Sequence, residues 1–301
     1  MKHSYYFYLF AIISLLSLTA CVRPIPLDFK DAPKRLVVVC LFTENKPWQV
    51  HLEHSKNMGD TTLAFVENAN VEIYEDNILH EKLIYTKEGL YEGAKNPQTG
   101  KLYEIRIKAD NYPEINAFDS IPQKVKIKDA YYTLGKKYDM GPNPLSQIFI
   151  LWQDPMGNNF YKASAEYHTV AAQLAHTLEI DNGAFVESNI VFTDKSFNGK
   201  AFQYECEKVI SNLESELNSA QWFTKRVYLQ SISQNYYLFA KTSDVQLANQ
   251  IGFTGNITPY PGIILQFLST SEPSNIYSNV ENGFGIFAGY AVDSAEAYFV
   301  K

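Results

Sequence analysis

Along residues 35–128 the hydrophobic positions recur every second residue, in short runs. In Leu102-Tyr103-Glu104-Ile105-Arg106-Ile107-Lys108, Tyr103, Ile105 and Ile107 fall on one face and Glu104, Arg106 and Lys108 on the other. That strict alternation is the mark of a half-buried strand. Val71 and Ile73 keep the same period, as do Val125 and Ile127. Leu36 to Phe42 is an unbroken apolar run and predicts a strand buried on both faces. Gly89, Gly93, Asn96-Pro97 and Thr99-Gly100 punctuate the runs. Several short strands divided by such turns predict a small β-sandwich over residues 35–128.

Residues 129–146 interrupt the pattern. Gly135, Gly141, Pro142 and Pro144 fall there, and the stretch is expected to be a linker between two domains. Residues 147–301 then predict a second, β-rich domain with one α-helix. Gln147 to Trp152, Phe160 to Tyr167, Asn189 to Phe192, Ala201 to Glu207, Arg226 to Ile232, Gly283 to Val292 and Ala297 to Val300 are its strand candidates. One segment changes to helical spacing. Ser233 is suited to cap it, Tyr236, Ala240, Leu247 and Ile251 share a side, and Gly252 is suited to stop it. Leu213 to Trp222 is a candidate for a second short helical turn. The chain as a whole is expected to be mainly β.

The beginning of the chain has a different pattern. Lys2 and His3 precede an apolar run from Tyr5 to Leu18, shorter than the roughly 20 residues a spanning helix needs. The run ends in Leu18-Thr19-Ala20-Cys21, followed by Arg23-Pro24. A charged start, a short apolar stretch and small residues before the break form a secretory signal. With a cysteine at the break, it resembles the lipobox of bacterial lipoproteins. Residues 1–20 are then a signal peptide, and Cys21 is the lipid-attachment site that ties the protein to the bilayer. Residues 21–34, with Pro24, Pro26 and Pro33, form a tether. Two or three acyl chains, at about 0.8 kcal/mol per buried CH₂, make such an attachment stable.

Composition supports a folded chain: 46% of residues are hydrophobic and 20% charged, with a formal net charge of -7. Lysines and arginines are scattered rather than striped, so no nucleic-acid partner is expected. The 21 Tyr and 19 Phe suit strands and two-faced surfaces. Besides Cys21 there are Cys40, within an apolar run, and Cys206, on the apolar side of Phe202 to Glu207. Both read as small core hydrophobes, with a disulfide between them left as an alternative.

The chain offers little chemistry. His51-Leu52-Glu53-His54 has histidines three apart in a strand-like segment. On a strand, such residues point to opposite faces and cannot share a metal. Gly283-Phe284-Gly285-Ile286-Phe287-Ala288-Gly289 superficially resembles a dinucleotide fingerprint, but its third glycine is misplaced and no strand–turn–helix unit surrounds it. Glycines in a strand more often mark a bulge or a close backbone approach. No nucleophile elbow or phosphate loop occurs, and His168 and His176 are isolated. No catalytic residue, metal ligand or cofactor site is singled out.

Four places together are similar to one known family. The tail from Glu272 to Tyr290, containing Asn279-Val280-Glu281-Asn282-Gly283-Phe284-Gly285, resembles the C-terminal signature of a Bacteroidota envelope lipoprotein family known as domain of unknown function 4249. Cys21-Val22-Arg23-Pro24-Ile25 resembles its acylated start. Asn68 to Ile73, Gly89-Leu90-Tyr91 and the Tyr103 strand resemble its first domain, which is immunoglobulin- or transthyretin-like. Gln153-Asp154-Pro155 followed by Phe160-Tyr161 resembles the start of its second domain. The resemblance implies a lipoprotein anchored in the outer membrane, often encoded beside a TonB-dependent receptor. It brings no catalytic residues. Val22 to Leu27 lacks the acidic cluster of many surface-displayed lipoproteins, which leaves the periplasmic and outer faces as alternatives. The expected function is that of a binding or accessory protein rather than an enzyme. An envelope hydrolase using carboxylates or a metal is the alternative.

Overall fold

The computed structural model describes residues 32–57, 60, 62, 64–138, 144–169, 191–209, 223–254 and 275–300. Cys21, the signal segment 1–20, most of the tether, His176 and the helical candidate Leu213 to Trp222 lie outside the described residues.

The alternating runs become strands: β1 (Leu36–Phe42), β2 (Gln49–His54), β3 (Ala69–Glu75), β4 (Ile78–Lys82), β5 (Ile84–Lys87), β6 (Leu90–Glu92), β7 (Leu102–Ala109) and β8 (Ile115–Ser120). One sheet runs β4-β3-β7-β8, antiparallel throughout. The other carries β1-β2-β6-β5. Val71, Ile73, Ile105 and Ile107 from the first sheet meet Val38, Val50 and Leu52 from the second, and Trp48 just before β2, in one buried core. Tyr103 anchors it: its ring lies edge-on to Trp48 at 5.0 Å, and its hydroxyl accepts from the Gln98 amide at 2.8 Å. On the outer face of β7, Glu104 is nonetheless buried, because Arg106 clamps it with two hydrogen bonds of 2.7 and 2.6 Å and lies over the Tyr74 ring.

The run Leu36 to Phe42 alternates rather than being buried on both faces. Leu36, Val38, Cys40 and Phe42 are buried, while Val39 and Leu41 are 41% and 38% exposed. On that side its partners on β2, His51 and Glu53, are exposed as well.

The second half contains β9 (Ile127–Tyr138), β10 (Pro144–Gln153), β11 (Phe160–Thr169), β12 (Val191–Thr193), β13 (Ala201–Val209), β14 (Phe223–Ile232), α1 (Gln234–Thr254) and β15 (Phe284–Phe299). The chain is thus mainly β, as expected. The linker expected over 129–146 is corrected by β9 and β10, which occupy most of it and pair antiparallel. Gly135, at φ 64°, does not break the strand. It sits where the register slips between Leu145↔Lys137 and Ser146↔Leu134, and supplies the positive φ of a β-bulge.

β15 runs unbroken for 16 residues, through the polar stretch between its two expected halves. Its first part pairs parallel with β1, its middle antiparallel with β14, and its end parallel with β9. Ile286, Phe287 and Ala288 are all fully buried. Phe287 enters the first core, while Ile286 and Ala288 pack with Ile232 and Tyr236 beneath α1. From β15 the second half spreads in two directions, through β14 and β11 to β12, and through β9 and β10 to β13. Trp152, Tyr161, Ile148, Ile150, Val227 and Leu229 fill the core between them.

Ser233 caps α1 as expected: its hydroxyl accepts the Tyr236 amide at 3.2 Å. The helix continues past Gly252 to Thr254.

Candidate functional site

Two clefts in the second half meet at Thr193, which lines both. The first is walled by rings. Phe202, Tyr204 and Cys206 of β13 stand in register with Trp152, Ile150 and Ile148 of β10, so all six side chains share the inward face. Among the described residues β13 pairs only with β10, and β12 only with β11. The inward rings of these two strands are therefore part-exposed where the strands face each other. Phe192 of β12 stacks on Tyr204 of β13, with centroids 5.1 Å apart and planes 3° from parallel. Phe197 stacks on Phe202 at 3.8 Å. Thr193, Ser196, Glu205 and Cys206 complete a cleft of about 410 Å³. Glu205 alternates with Tyr204 and Cys206, so its carboxylate lies on the opposite face of β13, where it accepts Lys137 Nζ at 2.6 Å and Gln147 Nε2 at 2.5 Å.

The second cleft, of about 330 Å³, is more polar. Asn158, Asn159 and Phe160 line it from the start of β11, Asp194 and Lys195 from the turn after β12, and Gln234, Tyr237, Leu238 and Lys241 from α1. The four helix residues are spaced i, i+3, i+4, i+7 and so form one face. The Phe160 and Tyr237 rings are 5.0 Å apart. Lys241 Nζ donates to the Tyr237 hydroxyl at 3.5 Å and lies 5.6 Å from its ring centroid.

Both clefts rest on a pinned corner. Asp154 is buried and accepts the Tyr161 hydroxyl at 2.6 Å and the Gly199 amide at 2.8 Å. Burial and the adjacent Asp154 carboxylate push the Tyr161 hydroxyl far above its ordinary pKa, so it stays a proton donor. Asp194, also buried, accepts Asn159 Nδ2 at 3.0 Å, and its carbonyl accepts the Phe197 amide at 2.8 Å. The motif Gln153-Asp154-Pro155 thus holds the loop that bears Asp194, Lys195 and Phe197.

A buried carboxylate fixes the helix. Asp119 Oδ2 accepts the Ser233 hydroxyl at 2.5 Å and the Gly289 amide at 3.2 Å, and Oδ1 accepts the Ser120 amide at 2.8 Å. Burial raises its pKa, while these donors, Ser233 first, pull it back. Ser233 N donates to the Gly289 carbonyl at 3.1 Å. One side chain thereby joins β8, β15 and the N-terminus of α1, and sets how the Gln234–Lys241 face meets the cleft. Its oxygens are occupied by structural donors, and the arrangement is one of positioning.

The residues singled out from the sequence are not brought together. His51 and His54 fall on opposite faces of β2; His51 is exposed, and His54 Nδ1 is 3.0 Å from the Ser55 carbonyl. Cys40 is buried in the first core, where desolvation pushes its thiol pKa up, and Cys206 lines the ring cleft; no disulfide joins them. The glycine run is strand β15, with Gly285 at φ 110° against β1. The cleft residues Phe192, Lys195, Phe197, Tyr204, Tyr237 and Lys241 were not singled out in the sequence. Gln234, Tyr237, Leu238 and Lys241 follow from the helical spacing once the helix is recognised, as the face beside Tyr236 and Ala240.

Facing β-sheets, one long shared strand and a helix capped on a buried carboxylate define a mainly β protein with clefts at the edges of its second half. The chain matches the family described as a domain of unknown function, DUF4249, over residues 22–296, and belongs to it. A search among curated proteins finds no match. No helix among the described residues is long and apolar enough to cross a membrane.

Proposed function

We propose that this chain is a lipid-anchored binding protein of the outer membrane, acting as the accessory partner of a TonB-dependent receptor. The observation that carries the binding role is the ring-walled cleft between β12 and β13. Its surface is Phe192, Phe197, Phe202 and Tyr204, with Thr193 and Ser196 among the lining residues. Apolar walls with a few placed polar groups are what ligand sites share. The anchor rests on Leu18-Thr19-Ala20-Cys21 and the proline-bearing tether behind it. A tether to the bilayer raises the effective concentration of the folded part for a membrane partner. The receptor is brought in by family analogy.

The test is crosslinking in intact cells, followed by mild-detergent purification through this chain and identification of what is attached. An outer-membrane barrel among the products supports the proposal. Absence of any barrel, together with a hydrolytic turnover abolished by one carboxylate or histidine substitution, supports the enzyme alternative.

A further inference from the structure

We propose that the cleft between the Asn158–Phe160 corner, Lys195 and the first two turns of α1 binds a small acidic sugar, a single ring carrying one carboxylate. This rests on the binding role proposed above and names the chemical class of its ligand.

Three features of the walls select that class. The first is size: about 330 Å³ is at the small end of ligand cavities, enough for one sugar ring and too little for a chain of them. The second is the pair of rings. Phe160 and Tyr237 stand 5.0 Å apart with planes 36° from parallel, and offer an apolar surface to the C–H face of a pyranose. The third is charge. The chain carries a formal net charge of -7, yet Lys195 and Lys241 both line this cleft. Its one acid on the wall, Asp194, is buried and holds Asn159 Nδ2. Among the described residues no carboxylate forms a salt bridge with either lysine. The exposed side-chain amides of Asn158 and Gln234, with the Thr193 hydroxyl, supply both donors and acceptors for sugar hydroxyls. A neutral sugar offers no opposite charge to the Lys195 and Lys241 ammonium groups, of which Lys241 holds only the Tyr237 hydroxyl and ring among the described residues. A bare inorganic anion makes no use of the apolar surface of the two rings.

The surrounding structure holds these groups in advance of binding. Asp154 and Asp194 pin the corner and Asp119 sets the helix, so the cleft does not have to be assembled by its ligand.

The test is isothermal titration of the full acylated chain in mild detergent, at fixed ionic strength, with D-glucuronate, D-glucose and inorganic phosphate as probes. Glucuronate is expected to bind, with glucose and phosphate each at least about tenfold weaker, since a charge-assisted contact and the ring contact are each worth about that factor. Lys195→Gln/Lys241→Gln is expected to weaken glucuronate by about tenfold or more without lowering the melting temperature. Lys195→Gln alone, at an exposed side chain, is expected to show part of that loss and guards against an effect on folding. No glucuronate binding, phosphate binding as tight as glucuronate, or lysine variants that bind unchanged would each overturn the assignment. Recovery of a barrel in the crosslinking experiment without glucuronate binding removes this ligand class and leaves the receptor partnership standing.

Discussion

The side chain of Asn279 stands in for a strand neighbour of Phe287. Its Nδ2 donates to the Phe287 carbonyl at 2.8 Å, and its Oδ1 accepts the Phe287 amide at 3.1 Å. Phe287 is fully buried, so both of its backbone groups depend on this one amide where β15 leaves the turn at Asn282. Asn279→Ala strips the partner from both. A loss of about 2–3 kcal/mol in urea unfolding is expected, about 1 kcal/mol per hydrogen bond plus the cost of buried groups left unpaired. An unchanged midpoint would show that the turn holds without it.

Gly285 and Gly100 separate two reasons for glycine. Gly285 has φ 110°, and a Cβ there would overlap the Val38 carbonyl oxygen on β1. Gly100 has φ 79°, but the nearest atom to its Cβ would be Gln123 Nε2 at 3.9 Å. Gly100→Ala is therefore expected to cost only backbone strain, about 1 kcal/mol. Gly285→Val forces the two parallel strands apart and is expected to cost more than about 3 kcal/mol. Thermal melts of the two variants check this, and equal melting temperatures would remove the close approach as the reason for Gly285.

Asp119 sets an unusual pH dependence. Burial raises its folded pKa above that of the unfolded chain despite the Ser233, Ser120 and Gly289 donors. The folded state therefore holds the proton more tightly, and stability falls as pH rises from the ordinary carboxylate value through the raised one. Glu44 and Glu72 are lowered instead, by Thr99 and Asn70 respectively as the leading causes, and pull stability the opposite way. The wild type minus Asp119→Asn difference in unfolding free energy isolates the effect. It should decline with rising pH across that window and stay flat above it. A difference that grows with pH would mean that the donors outweigh burial.

Much of the fold is legible wherever one face of a strand is wet. Tyr103, Ile105 and Ile107 announced β7 because Arg106 and Lys108 alternate with them. Ser233 announced α1 because a hydroxyl before an apolar period is a cap. The exceptions have physical causes. Gly135 looked like a break because a bulge and a linker both call for a positive φ, and only the partner strand distinguishes them. Leu36 to Phe42 looked buried on both faces because Val39 and Leu41 are apolar though exposed. The site was less legible still. Phe192, Phe197 and Tyr204 lie on β12, the turn after it and β13, and they meet only because β11 and β10 carry the two strands on separate pairings, which no local sequence spacing encodes. Asp119 did leave a trace, since it follows Ile115 and Ala117 at the inward positions of β8, where an acid calls for a buried partner.

Central to the proposed function is that the chain works by holding a membrane partner from a lipid anchor. The most direct measurement is the yield of crosslinked outer-membrane barrel from cells carrying wild type or Cys21→Ala at equal levels of folded protein. A barrel is expected with the wild type. Its yield should fall by about a hundredfold in the unanchored variant, the factor that tethering supplies without any new contact. No barrel from the wild type, or a yield unchanged when Cys21 is removed, would contradict the proposal.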